Sequence, residues 1–168
     1  MRHNAKFYES EYEEALIDLL TDGTGWQYTY GGNIHRKKRE VLLTDDLSTY
    51  LKDQYKELTD NDVDEIINHL RHVGGQSHFE QLLNTYKLIR DGYRYVRHGD
   101  NKPFDISYVD FEETANNIFR VVNQFEVGYG MQTDVRIPDV LLFVNGIPLC
   151  IFELKNPADE NATIADAY

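Results

Sequence analysis

The feature that most restricts the fold of this chain is a hairpin pattern near its end. Two apolar runs, 140–144 and 147–154, are separated by Asn145-Gly146, a dipeptide that strongly indicates a tight β-turn. Both runs are almost continuously hydrophobic, so we expect both faces of the two strands to be buried. Cys150 lies in the second run, and we expect it to be a small buried side chain.

Three charged residues stand at the open end of this hairpin. Asp139 precedes the first strand, and Glu153 and Lys155 end the second. Such side chains are rarely buried unless they are paired or bind a metal. Glu153 and Lys155 would share one face of a strand at a spacing of about 6.6 Å. The residues alone are compatible with a structural ion cluster or with a metal site.

The length of the turn decides whether Asp139 can face Glu153. A two-residue turn pairs Val144 with Ile147, and regular alternation then puts Asp139 on the face opposite Glu153. A three-residue turn pairs Phe143 with Ile147 and brings Asp139 to the face of Glu153. A site containing both carboxylates therefore requires the longer, bulged turn or a local bulge elsewhere in the hairpin.

Upstream of the hairpin, the chain reads as helices followed by strands. Apolar residues at helical spacing predict four helices, at 8–20, 47–58, 62–73 and 79–92. A short aromatic run occupies 25–33, between the first and second helices. Strand-like segments follow the helices, at 93–99, 104–111 and 119–127. A further helix begins within 158–168. We predict that residues 1–168 form a single domain of the α/β or α+β class.

The charge of the chain restricts what it binds by itself. The formal net charge is −12 at pH 7, whereas an autonomous DNA-binding domain is usually basic. Weak binding to nucleic acid is expected unless a divalent metal or basic subunits assist. We interpret the basic run 35–39, HRKKR, as a solvated loop or an intersubunit patch in preference to a phosphate contact.

No membrane or export signal is visible in the sequence. No apolar run approaches the about 20 residues of a membrane span. The N-terminus lacks the apolar core of a signal peptide, so we expect a cytoplasmic protein without a membrane partner.

The charged residues match a known signature. The PD-(D/E)XK nuclease motif is similar to the pattern found here: Pro138-Asp139, a gap of thirteen residues, and Glu153-Leu154-Lys155. The longer phrases VNGIPLCIFELKNP, ANNIFRVVNQFEV and YEEALIDLL resemble the N-terminal endonuclease domain of the restriction (R, motor) subunit of type I restriction-modification enzymes. The resemblance implies an α/β, restriction-endonuclease-like core with a mixed β-sheet flanked by helices.

The resemblance also implies roles for individual residues. Asp139 and Glu153 would bind Mg²⁺ through their carboxylates, and Leu154 would add its backbone carbonyl. Lys155 would orient or help deprotonate the attacking water and offset charge in the transition state.

A glutamate of the first helix is a further expected participant. Related nucleases use such a residue, and Glu13 is the assignment we make from its place in YEEALIDLL. The neighbouring glutamates at positions 9, 11 and 14 remain alternatives.

The implied function is Mg²⁺-dependent, non-specific hydrolysis of double-stranded DNA after ATP-driven translocation. Its implied partners are DNA and the methyltransferase (M) and specificity (S) subunits. The sequence has neither the family's Gln-x-x-x-Tyr motif nor a Walker motif, so we expect a fragment of a larger subunit, with ATP bound by domains outside these residues. Two alternatives stay open: a non-catalytic assembly module of the same complex, and a stand-alone repair or junction nuclease.

Overall fold

A computed structural model describes residues 9–129 and 134–154. In chain order its regular elements are α1 (Glu9–Thr21), β1 (Gln27–Tyr30), α2 (Thr44–Gln54), α3 (Asp60–Arg71), α4 (His78–Asp91), β2 (Tyr93–Val96), β3 (Pro103–Ile106), β4 (Phe119–Asn123), β5 (Val127–Tyr129), β6 (Asp134–Arg136), β7 (Val140–Val144) and β8 (Ile147–Phe152). Short 3₁₀ turns occupy Gly31–Asn33 and Thr114–Asn116.

The chain divides into two compact units. The first, here called the sheet unit, comprises Met1–Val41, Phe119–Phe143 and Pro148–Tyr168. The second, the helical unit, comprises Leu42–Ile118 and Val144–Ile147. The sequence pattern predicts one domain over 1–168 and contains no signal for this division.

The four helices predicted within residues 8–92 are all present. The second begins at Thr44 instead of 47 and ends at Gln54, because the carboxylates of Asp45 and Asp46 favour a helix N-terminus in the first turn. Ser77 caps α4 by accepting a hydrogen bond from the backbone N–H of Glu80, and Gly92 ends it with a φ of 68°. The helix predicted within 158–168 lies outside the described residues, and none of the described helices is long and apolar enough to cross a bilayer.

The sheet unit contains a mixed four-stranded sheet in the order β1-β4-β7-β8. Strand β1 runs parallel to β4, with Tyr30 opposite Asn123. The backbone N–H of Asn145 donates to the carbonyl of Ile118 at 2.8 Å, so the C-terminal end of β7 lies beside the N-terminal end of β4. Strands β4 and β7 are therefore antiparallel, as are the hairpin strands β7 and β8. This arrangement confirms the α/β class with a mixed sheet, and α1 packs against β1 and β4.

The predicted hairpin is confirmed, with a two-residue turn. Asn145 and Gly146 have φ values of 50° and 77°, both left-handed, as a type I′ turn requires. A Cβ at position 146 would meet the backbone carbonyl of Leu43, so glycine suits this position for space as well as for conformation. The three-residue, bulged turn considered as an alternative is not observed.

Burial of the hairpin strands differs from the prediction. Strand β7 is almost entirely buried, as expected. Strand β8 is not: Leu149 is 47% exposed, Ile151 is 61% exposed and Cys150 is an exposed free thiol. The expectation that both faces of β8 and the side chain of Cys150 are buried is wrong, because β8 is the edge strand of the sheet among the described residues.

The helical unit has its own hydrophobic core. Its largest fully buried side chains include Leu47, Tyr50, Ile66 and Tyr108, from two helices and a loop. Helix α4 contributes no fully buried residue, and Leu82 on that helix is 69% exposed.

Candidate functional site

Glu13, Asp139 and Glu153, three of the predicted site residues, lie at one end of the four-stranded sheet. Strand β4 ends at Asn123, and β7, antiparallel to it, begins one residue after Asp139. Strand β8 ends at Phe152, immediately before Glu153. Because neighbouring strands are about 4.8 Å apart, β4 and β8 are separated by about 10 Å at this end.

The carboxylate of Asp139 points toward the segment that contains Glu153. Its Oδ2 accepts a hydrogen bond from the backbone N–H of Leu154 at 2.6 Å. Two covalent bonds of about 1.5 and 1.3 Å join that nitrogen to the Cα of Glu153, so the carboxylate oxygen lies within about 5.5 Å of this Cα. The Asp139 side chain is half-buried and the Glu153 residue is exposed.

Asp139 reaches this segment despite the two-residue turn. Regular alternation through such a turn would direct Asp139 away from Glu153. However, β7 begins at Val140 and β8 ends at Phe152, so both acidic residues lie beyond the paired strands. Strand pairing therefore does not determine the direction of the Asp139 side chain, which is instead held by its hydrogen bond from Leu154.

Asp139, Glu153 and Leu154 carry oxygen atoms of the kind that Mg²⁺ binds. The ion prefers hard oxygen ligands, is commonly held by one or two carboxylates, and keeps several waters. Asp139 and Glu153 would supply carboxylates and Leu154 a backbone carbonyl, and Oδ1 of Asp139 has no hydrogen-bond partner among the described residues. Within 9–129 and 134–154, no group of three or more His, Cys, Asp or Glu side chains is placed to hold a metal. Lys155 lies outside the described residues.

Glu13 contacts the sheet from helix α1. Its Oε1 accepts a hydrogen bond from Nδ2 of Asn123, the last residue of β4, at 2.6 Å. Glu13 is half-buried, whereas Glu11 and Glu14 are exposed, and the side chain of Glu9 is not described. The helix thus presents Glu13 at the same end of the sheet as Asp139.

Sequence reasoning did not single out Asn123 or Tyr28 as members of this site. The hydroxyl of Tyr28 donates to Oδ1 of Asn123 at 2.9 Å. The available signal was a polar residue at the end of the apolar strand FRVVN, which is weak because exposed strand ends are commonly polar.

A cleft of about 280 Å³ adjoins this end of the sheet. Tyr30, which pairs with Asn123, and Ile137, which precedes Asp139 by two residues, both line it. The remaining lining residues are Gly31, Gly32, Ile34, Arg36, Lys38, Gln124 and Glu126.

The basic run 35–39 contributes two structural residues to the wall of this cleft. Arg36 donates to the backbone carbonyls of Lys38 and Glu40 and lies 3.4 Å from the ring centroid of Phe125. Burial lowers the pKa of the Arg36 guanidinium, against the opposing effects of Glu126 and Glu40. Lys38 forms an ion pair with Glu126 at 2.6 Å. These contacts occupy Arg36 and Lys38 within the fold.

Comparison with known proteins shows the family of the chain. The family model described as "Type I restriction enzyme R protein N terminus" matches residues 6–168. The type I restriction enzyme HindI endonuclease subunit of Haemophilus influenzae is 32% identical over 170 residues, which cover 95% of this chain and 16% of that protein. A protein of Methanocaldococcus jannaschii, described as a candidate type I restriction enzyme MjaIXP endonuclease subunit, is 32% identical over 184 residues, covering 100% of this chain and 17% of that protein.

The chain spans about one sixth of the length of these two curated relatives. The family match, in contrast, extends over nearly all of its residues. The chain therefore belongs to the family of type I restriction enzyme R protein N-terminal regions.

Proposed function

We propose that this chain is the nuclease domain of a type I restriction enzyme R subunit, with a restriction-endonuclease-like PD-(D/E)XK core. It hydrolyses phosphodiester bonds of double-stranded DNA with Mg²⁺ and without sequence preference of its own. The observation that carries this proposal is the hydrogen bond from the backbone N–H of Leu154, the residue after Glu153, to the carboxylate of Asp139 at the open end of the hairpin.

Each residue of the proposed site has a defined task. Asp139, Glu153 and the Leu154 carbonyl would hold the ion, and Glu13, on helix α1, would contact a water molecule of its hydration shell. Lys155 orients the attacking water and offsets negative charge as the phosphate is attacked. When bound, Mg²⁺ supplies positive charge that polarises the phosphate and acidifies a water molecule.

The net charge of −12 supports a division of labour in the complete enzyme. An acidic domain attracts DNA poorly by itself. DNA is therefore delivered by an ATP-driven motor in the remainder of the R subunit, and the M and S subunits provide modification and recognition. This division fits the share of the relatives' length that the chain covers.

Replacing Asp139 by Asn in the assembled enzyme tests the site. The amide oxygen of Asn can still accept the hydrogen bond from Leu154, so the local structure is kept while the metal-binding charge is lost. We expect DNA cleavage to fall by at least about 100-fold while DNA-dependent ATP hydrolysis continues. Lys155→Ala should have the same pattern, and Asp134→Asn, at an exposed position on β6, is the matched control.

Two outcomes would contradict the proposal. Unchanged cleavage by both Asp139→Asn and Lys155→Ala would favour a non-catalytic assembly module. Metal-dependent nicking of plasmid by the 168-residue chain alone, without ATP, would favour a stand-alone nuclease.

A further inference from the structure

A chain of two hydrogen bonds connects three elements of the sheet unit at the end that carries the proposed site. The Tyr28 hydroxyl on β1 donates to Oδ1 of Asn123 on β4 at 2.9 Å. Nδ2 of Asn123 donates to Oε1 of Glu13 on α1 at 2.6 Å. Positions 13 and 123 are far apart in sequence, so only the tertiary fold brings them together.

The chemistry of the groups determines how the amide of Asn123 is oriented. An ionised carboxylate has only acceptor atoms, so Asn123 must present its NH₂ group to Glu13. Its oxygen then faces Tyr28, whose hydroxyl has one proton to donate. In the parallel pair of strands, Tyr28 lies opposite Val121. Val121 is two residues before Asn123, so the side chains of all three residues are on the same face of the sheet. The register of β1 and β4 therefore holds the tyrosine in reach of the amide.

This arrangement restrains one oxygen of Glu13 and leaves the other available. Oε1 accepts the short bond from Asn123, and Oε2 has no hydrogen-bond partner among the described residues. Asn123 ends β4 at the point where the adjacent strand begins with Val140, directly after Asp139. Glu13 thus offers a free carboxylate oxygen at the end of the sheet where the acidic residues of β7 and β8 lie.

We propose that Asn123 is a positioning residue for the metal site, orienting Glu13 with the assistance of Tyr28. The second oxygen of Glu13 would then accept a hydrogen bond from a water molecule bound to the ion. This inference rests on the proposed nuclease function. Removing a side chain that supports a metal site from the outer shell typically lowers the metal affinity by about 10- to 100-fold.

Binding of Mn²⁺ to the full-length R protein, without nucleotide or DNA, provides a test that does not depend on cleavage. The free ion is quantified by electron paramagnetic resonance, and Asp139→Ala identifies the binding that belongs to this site. Asn123→Ala is expected to weaken that binding about 10-fold, similarly to Glu13→Ala. Tyr28→Phe, which removes one hydroxyl, is expected to weaken it about 3-fold. Asn84→Ala, which removes an amide bonded to the Gly74 carbonyl in the helical unit, is the matched control and should have no effect.

A double variant separates positioning from a general structural role. If Asn123 acts through Glu13, then Glu13→Ala combined with Asn123→Ala binds Mn²⁺ no more weakly than Glu13→Ala alone. If the two losses add, Asn123 acts through the fold and the inference is overturned. Should Asn123→Ala fail to fold, Tyr28→Phe decides, and unchanged affinity in that variant also overturns the inference.

The same measurements distinguish this inference from the proposed function. Loss of Mn²⁺ binding in Asp139→Ala, with unchanged binding in Glu13→Ala and Asn123→Ala, would reject the positioning role and leave the nuclease site standing. Unchanged binding in Asp139→Ala would reject the proposed metal site itself, and the positioning role with it.

Discussion

Substituting Asn145 by Ala should destabilise the helical unit strongly. The Asn145 side chain is completely buried. Its Oδ1 accepts a hydrogen bond from the backbone N–H of Ile118 at 2.7 Å. Its Nδ2 donates to the Tyr108 carbonyl at 2.9 Å and to Oδ1 of Asn117 at 2.8 Å. Alanine removes all three bonds and must also adopt a φ of 50°, which asparagine tolerates better.

The size of the effect follows from the groups that lose a partner. The Tyr108 residue is buried and Ile118 is half-buried, so these two backbone groups lose their partners where water has little access. Each such group costs about 1–3 kcal/mol, and the left-handed backbone adds about 1 kcal/mol for alanine. Asn117 is half-buried and its amide can find water, so it adds little. We expect the free energy of unfolding to fall by about 3–6 kcal/mol.

Urea-induced unfolding followed by circular dichroism measures this loss. Asn145→Gly is the matched variant, because it removes the same side-chain bonds while glycine adopts a positive φ freely. It should be less destabilising than Asn145→Ala by about 1 kcal/mol. A loss below about 1 kcal/mol in both variants would refute the assignment of these hydrogen bonds as a major stabilising contribution. The result bears on the site, because this turn closes the hairpin whose open end carries Asp139 and Glu153.

Two further predictions concern the helical unit. Burial raises the pKa of Asp62, but hydrogen bonds from Thr59 and Tyr95 outweigh this effect and lower the pKa overall. The ionised Asp62 therefore stabilises the fold fully above the unfolded-state pKa of about 3.9. This stabilisation is lost as the pH falls through the lower folded-state pKa. Unfolding measured between about pH 5 and pH 2 should show a steeper loss of stability in the wild type than in Asp62→Asn, and identical slopes would contradict the assignment. Leu47→Ala should lower the free energy of unfolding by about 2–5 kcal/mol because Leu47 is 0% exposed, whereas Leu82→Ala, at 69% exposure, should change it by less than about 0.5 kcal/mol. Equal effects of the two leucine substitutions in urea unfolding would show that burial does not control them.

Features that depend on neighbouring residues were predictable from the sequence. The Asn145-Gly146 turn, the cap at Ser77 and the helix end at Gly92 each follow from the local chemistry of a few residues. The four helices followed from apolar spacing, although the bounds of α2 moved because its acidic first turn extends the helix upstream. The spacing of Asp139 and Glu153 also pointed to one end of a hairpin, where the structure places both.

The tertiary structure decided how these parts meet. Alternation along a strand predicts which side chains share a face, but not where pairing stops, and Asp139 reaches Leu154 because it lies just beyond the paired region. Among the described residues β8 is the edge strand of the sheet. Its hydrophobicity could not show this, because the same apolar sequence can pair with one neighbouring strand or with two. The contact of Glu13 with Asn123 likewise depends on packing α1 against β4, which no local pattern encodes. The sequence by itself determined the helices, the hairpin and the identity of the acidic residues. Long-range packing determined the directions of the Asp139 and Glu13 side chains and the exposure of β8.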